Sequence, residues 1–244
     1  QYFTLVGFQE QLEIHSITNG DWSSTSTWDC SCLPTINDLV FIDPSTTVNI
    51  ETEAFATALT VESGGTLEMS VDASLALKEN WDIIGEVNFT AGKVSLIGSD
   101  SQTISISPGS VLTTVLNDLI IENTSTEDVT FENGTFSLHG VFAPNLGNIV
   151  IDPSTEFIIA STSPTDGGRI GPVISPANIT GNVSVQRFIP PGLADWRDLC
   201  SPVLGSTFDD WDPDLAMSGP GFPDGCATGP DDPCFKSVRY TDHS

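Results

Sequence analysis

Apolar side chains along this chain come in pairs separated by one residue, and the pairs recur after short gaps: Leu59 and Val61, Leu67 and Met69, Leu75 and Leu77, Val87 and Phe89, Val94 and Leu96. The series continues through Ile104 and Ile106, Leu119 and Ile121, Val129 and Phe131, Phe136 and Leu138, Ile149 and Ile151, and Phe157 and Ile159. Period-two alternation buries one face of a strand, and every pair can face a single interior. Between the pairs lie turn-forming stretches such as Ser63-Gly64-Gly65-Thr66 and Asp72-Ala73-Ser74, where small residues let the chain change direction tightly. A β-sandwich offers similar strands. The short strands, their close spacing and the near absence of a helical pattern instead predict an all-β chain, a right-handed parallel β-helix. Upstream, Gly20-Asp21-Trp22, Thr27-Trp28 and Leu33-Pro34-Thr35-Ile36-Asn37-Asp38 lead into Leu39-Val40-Phe41-Ile42. Pro34 and the Asn37-Asp38 pair punctuate a loop there, and Leu39 begins a β-rich array.

Charge narrows the partners. Of 244 residues, 33 are Asp or Glu and 7 are Lys or Arg, a formal net charge of -26. Binders of phosphate backbones need clustered cations to displace counterions, so nucleic acid and anionic lipid surfaces are excluded as expected partners. The 39% hydrophobic content suffices for a continuous core. No apolar run approaches the roughly 18 residues of a membrane span. The N-terminal Gln1 suits a processed, secreted chain, whose first residues carry no basic-then-apolar signal pattern.

Several of these segments resemble a known group. Trp22, Trp28, Pro34, Asn37-Asp38, Leu59 to Leu67, Gln102-Thr103-Ile104 and Leu119 to Asn123 are similar to the large secreted surface proteins of Bacteroidetes. The resemblance implies parallel β-helix repeats, export by the type IX secretion system, and an adhesin-like role at the cell surface. The stretch Gly181 to Pro190, leading to Trp196-Arg197-Asp198-Leu199-Cys200, is similar to a module that follows such repeats. Members of the group end in a sorting domain, whereas this chain stops at Ser244 shortly after Val238-Arg239-Tyr240, which reads as a strand in mid-domain. The expected organisation is a lead-in over 1–15, the β-helix over 16–189, and a truncated β module over 190–244.

Candidate chemistry concentrates late in the chain. Asp209, Asp210, Asp212 and Asp214, around Trp211 and Pro213, offer carboxylates to a hard cation such as Ca²⁺. Leu215 stands where an EF-hand-type loop needs Gly, and no Glu closes that loop, so a solvated acidic stretch is the competing reading. Trp22, Trp28, Trp81, Trp196 and Trp211 are possible platforms for sugar rings, with Trp22 and Trp28 read mainly as closing the first coil and Trp211 as the ligand-binding candidate. A disulfide between Cys226 and Cys234 would close a small Gly/Pro/Asp-rich loop. Cys30 and Cys32 are too close in sequence for an easy mutual bridge, which leaves their partners and that of Cys200 open. A structural zinc site finds too few ligands among His15, His139 and His243.

An enzyme acting on polysaccharide is the alternative. Uronate lyases need cations in the site and glycosidases need two flanking carboxylates. Here the few Lys and Arg are scattered, and abundant acids make any pair unspecific. His139-Gly140 reads as a turn residue ahead of a general base. No nucleophile elbow, phosphate loop or dinucleotide fingerprint is present. Sequons occur at Asn88, Asn123, Asn133, Asn178 and Asn182. The expectation is a non-catalytic structural or adhesive segment of a larger secreted bacterial protein. Its expected partners are polysaccharide or other cell-surface components and the secretion machinery, with a carbohydrate-binding module as a further alternative.

Overall fold

A computed structural model describes residues 11–109, 113–163 and 167–188. Strands follow one another in successive coils. The first coil holds β1 (Glu13–His15) and β2 (Gly20–Asp21), and the second β3 (Leu39–Ile42), β4 (Thr47–Ile50) and β5 (Glu53–Ala56). Next come β6 (Ala58–Val61), β7 (Thr66–Met69) and β8 (Ser74–Leu77), then β9 (Trp81–Ile83), β10 (Glu86–Asn88) and β11 (Lys93–Leu96). The fifth and sixth coils hold β12 (Gln102–Ile106), β13 (Thr113–Leu116), β14 (Asp118–Glu122), β15 (Asp128–Glu132), β16 (Thr135–Leu138) and β17 (Val141–Leu146). The last two hold β18 (Asn148–Ile151), β19 (Glu156–Ile159), β20 (Arg169–Ile170), β21 (Asn178–Thr180) and β22 (Ser184–Val185).

β1 pairs in parallel with β3 and β2 with β4, and from β3 onward each strand pairs in parallel with the one three places later. The result is three sheets: an eight-stranded one from β1 to β21, a second eight-stranded one from β2 to β22, and a six-stranded one from β5 to β20. The described residues form a parallel β-solenoid, as the alternation predicts, and the parallel registers rule out the sandwich there. No α-helix occurs among the described residues. The array already includes Glu13–His15, which pairs with Leu39–Phe41, so the solenoid starts inside the stretch read as a lead-in.

Register is maintained although coil length is not. Val40 pairs with Leu59, Leu59 with Trp81, Trp81 with Ile104, Val129 with Ile149 and Ile149 with Ile179. The coils differ in length because corners absorb insertions while the strands keep their inward sets, apart from a bulge in β17, where Ile121 pairs with Pro144 and Glu122 with Leu146. A one-residue slip would turn that set out to water, so burial itself enforces the register.

The interior is one apolar column. All the paired residues named from the alternation are buried. Phe131, Phe136, Phe142 and Phe157 interlock across all three sheets, with ring centroids 5.1 Å apart for Phe131 and Phe157 and 5.2 Å for Phe142 and Phe157. Each such side chain contributes about 2–3 kcal/mol by burial. At the N-terminal end, Trp22 and Trp28 meet edge to face at 5.0 Å, and the Trp28 indole N–H donates to the Trp22 carbonyl.

Corners are closed by residues without bulk. A Cβ on Gly65 would lie 2.6 Å from the Ile42 carbonyl, and one on Gly85 would lie 2.3 Å from the Glu62 carbonyl and 2.4 Å from that of Gly65. Successive coils therefore touch backbone to backbone at this corner. Left-handed backbone turns the chain at Ser45, Gly64, Asp72 and Asn133.

Three substitutions separate these contributions. Phe157→Ala should lower stability by about 3–5 kcal/mol and Gly85→Ala by about 3 kcal/mol through overpacking, whereas Val71→Ala, at a side chain 73% exposed, should change it by less than about 0.5 kcal/mol. Urea denaturation followed by circular dichroism measures all three.

Candidate functional site

The sequence motifs that carry the family resemblance are occupied in holding the coils together. Asp38 is buried, and its carboxylate accepts the Thr35 backbone N–H at 2.8 Å, the Thr35 hydroxyl at 2.6 Å and the Leu12 N–H at 3.3 Å. Its own carbonyl accepts from the Thr57 N–H, and Thr57 donates its hydroxyl to Ile36. The Pro34 to Asp38 loop is thus tied to the next coil. Lys78 reaches back to the same loop, donating to the Asn37 side chain at 3.2 Å.

Gln102 and Asn123, both fully buried, form a second polar joint. The Gln102 amide donates to the carbonyls of Glu79 at 2.8 Å and Leu77 at 3.2 Å, and its oxygen accepts from Asn123 at 3.1 Å. Asn123 also donates to the Asp100 carbonyl and accepts from the Ser125 N–H, 2.9 and 2.8 Å respectively. Buried amides stacked in this way satisfy backbone groups that a corner strips from the ladder. Gly98 makes room for them, since a Cβ there would lie 2.7 Å from the Asn123 amide nitrogen. Asn123 is a sequon in sequence and a structural bridge in space.

The tryptophan platforms divide. Trp22, Trp28 and Trp81 are core residues, 3%, 0% and 0% exposed; the first two lie inside the first coil, in keeping with their reading as residues that close it, while Trp81 as a platform for sugar is corrected. Trp81 stacks on Phe89 at 6.0 Å, and its indole N–H is buried without an acceptor. Period-two alternation could have flagged it, because Trp81 and Ile83 continue the inward row of Leu59 and Val61. Trp196 and Trp211 lie outside the described residues, as do Asp209, Asp210, Asp212, Asp214, Cys200, Cys226 and Cys234.

Cys30 and Cys32 bond to each other, with sulfurs 2.04 Å apart and Cα atoms at 5.1 Å. This settles a pairing that the sequence left open. Ser31 adopts a left-handed backbone, φ 52°, which folds the tripeptide back and brings the two Cβ atoms to the same side.

Among the described residues no group of three or more His, Cys, Asp or Glu side chains is placed to hold a metal ion. The His139 ring lies 3.0 Å from the Ser137 hydroxyl, two residues back along its own turn. One cluster that sequence reading missed bridges the first two coils: the His15 ring stacks on Phe41 at 4.6 Å, nearly parallel at 9°, and its Nδ1 is 2.8 Å from the Asp43 carboxylate. His15 and Phe41 are register partners far apart in sequence, so only the coil period could have joined them.

Outward rows are mostly polar ladders. Asn178 donates to the Asn148 side chain at 3.2 Å, and Asn148 donates in turn to Asp128. Ser105 donates to Asp82 at 2.8 Å, and Thr135 to Glu156 at 3.1 Å. The strands of the first sheet carry Glu13, Asp82, Asp128 and Glu132, and those of the second carry Asp21, Glu68, Glu86 and Glu156, with no Lys or Arg on either. At a corner between them Ser154 donates its hydroxyl and backbone N–H to Asp152, at 2.5 and 2.8 Å, which holds the Asp152 carboxyl below its ordinary value of 3.8.

Two outcomes follow. Asn123→Ala should cost about 2–3 kcal/mol by stranding buried backbone partners, while Asn88→Ala, at an exposed sequon, should be nearly neutral; thermal melts compare them. For Asp152 the folded form is depressed, so its contribution to the corner is lost only as pH falls through that lowered value. A ¹³C titration should place its inflection below 3.8.

Comparison with protein-family models, with curated proteins and with solved structures finds no match to this chain.

Proposed function

We propose that the chain is a non-catalytic structural or adhesive segment of a larger secreted bacterial surface protein of the Bacteroidetes kind, exported by type IX secretion. The observation that supports this reading most is where the distinctive residues go. Asp38, Gln102, Asn123, Gly65 and the first-coil tryptophans, which carry the resemblance, all serve coil stacking. Stacked coils that share one core make a rigid spacer. Outward ladders of Asn, Ser, Thr and acids suit a hydrated extracellular surface, and the acids of the first two sheets suit divalent cations and neutral glycans better than polyanions. Calcium belongs to this proposal through Asp209, Asp210, Asp212 and Asp214, and glycan contact through Trp211.

The test is incubation of the purified chain with neutral and acidic polysaccharides, in Ca²⁺ and in EDTA, reading retardation and polymer length together. The expected result is retardation of a neutral glycan with its length unchanged, lost in EDTA and in Asp210→Asn/Asp212→Asn. Shortened polymer would overturn the non-catalytic reading in favour of a glycosidase or lyase. Retardation of nothing would remove the adhesive part.

A further inference from the structure

We propose that two copies of this chain associate through the outer face of the third sheet, side by side with their solenoid axes antiparallel. The face stands apart electrically. Lys93 and Arg169 lie on its strands and Lys78 directly follows β8, whereas the strands of the other two sheets carry acids alone. Those acidic faces would repel their own copies.

The order of residues along the third face is what selects the partner. Register pairs place Glu53 beside Ser74, Ser74 beside Lys93, Lys93 beside Asp118, and Val141 beside Arg169. Val141 precedes Phe142, the partner of Leu119, and so continues the row from Asp118. The row reads acid, small, base, acid, apolar, base. A two-fold axis along the strand direction, midway between β11 and β14, sets this row against its own reverse. Glu53 then meets Arg169, Ser74 meets Val141, and Lys93 meets Asp118, each pair occurring twice. Self-complementarity of this kind is what an isologous interface requires.

The neighbouring outward row agrees in size. It runs Phe55, Ala76, Ser95, Ile120 and Ala143, and Gly171 follows next to Ile170, the partner of Phe142. Under the same axis Phe55, 38% exposed, faces Gly171, Ala76 faces Ala143, and Ser95 faces Ile120. Large therefore meets small along an otherwise apolar strip. A polyanion is a poorer occupant, since Glu53 and Asp118 interrupt the cations. Six strands about 4.8 Å apart and about four residues long offer roughly 300 Å² of flat surface. That is well below the roughly 800 Å² per partner of stable complexes, so the dimer is of the weak, reversible class.

Sedimentation of the full chain at concentrations up to on the order of 0.5 mM tests it. The unaltered chain should shift from monomer to dimer. Lys93→Glu/Arg169→Glu makes the row wholly acidic, and Glu53→Lys/Asp118→Asn makes it cationic. The Asn keeps an acceptor for the Val141 N–H, which Asp118 binds at 2.7 Å. Each variant alone should stay monomeric with an unchanged melting curve, and an equimolar mixture of the two should dimerise again. An unaltered chain that remains monomeric overturns the proposal, as do variants that dimerise alone or a mixture that does not associate. Should Asp118→Asn disturb folding, Glu53→Lys alone takes its place in the mixture.

Discussion

The structure depends on coils lying directly over one another with their inward rows aligned. A single strand here is two to six residues long, too short to bury anything alone, and its stability comes from the rows above and below. Leu75, Val94 and Leu119 stand in one such row, with Leu77, Leu96 and Ile121 in the next. Each interior side chain is enclosed by its register neighbours and by the two opposite sheets, so the core is continuous from Ile14 to Ile159. Stability in this arrangement is close to a sum over adjacent coils.

Stacking at this closeness sets the chemistry of the corners. Where two coils touch through backbone, as at Gly65 and Gly85, no side chain fits. Where a corner leaves carbonyls and N–H groups unpaired, a buried carboxylate or amide fills in: Asp38 near the first full coil, Gln102 and Asn123 in the middle. These polar residues resemble site residues in sequence because they are distinctive. In the fold they are joints, and the surfaces available for recognition are the outward rows of the three sheets.

Much of this was legible. Alternation located most inward pairs from Leu59 to Ile159, though not Trp81 with Ile83 or Thr114 with Leu116, because burial on one face imposes a period that needs no long-range information. The parallel pairing was legible less directly, through strand shortness and spacing. Features joined across coils were not: His15 against Phe41, Asp38 beneath Thr57, and the reversed charge order on the third sheet all depend on registers that unequal coils hide. The Cys30 to Cys32 pairing stayed open in the sequence for a local reason, the left-handed Ser31 between them. Trp81 was read as a possible sugar platform because tryptophan suggests recognition, while its place in the inward row makes it core. The late acidic stretch around Trp211 lies outside the described residues, so its part in function rests on sequence alone.

Methyl-labelled NMR tests the stacked core most directly. In-register parallel coils place the Val94 methyls against those of both Leu75 and Leu119, and cross-peaks from Val94 to both are the predicted result. Cross-peaks from Val94 to neither, with contacts instead to a sequence-adjacent antiparallel strand, would contradict the solenoid and the assignment of corner residues that follows from it.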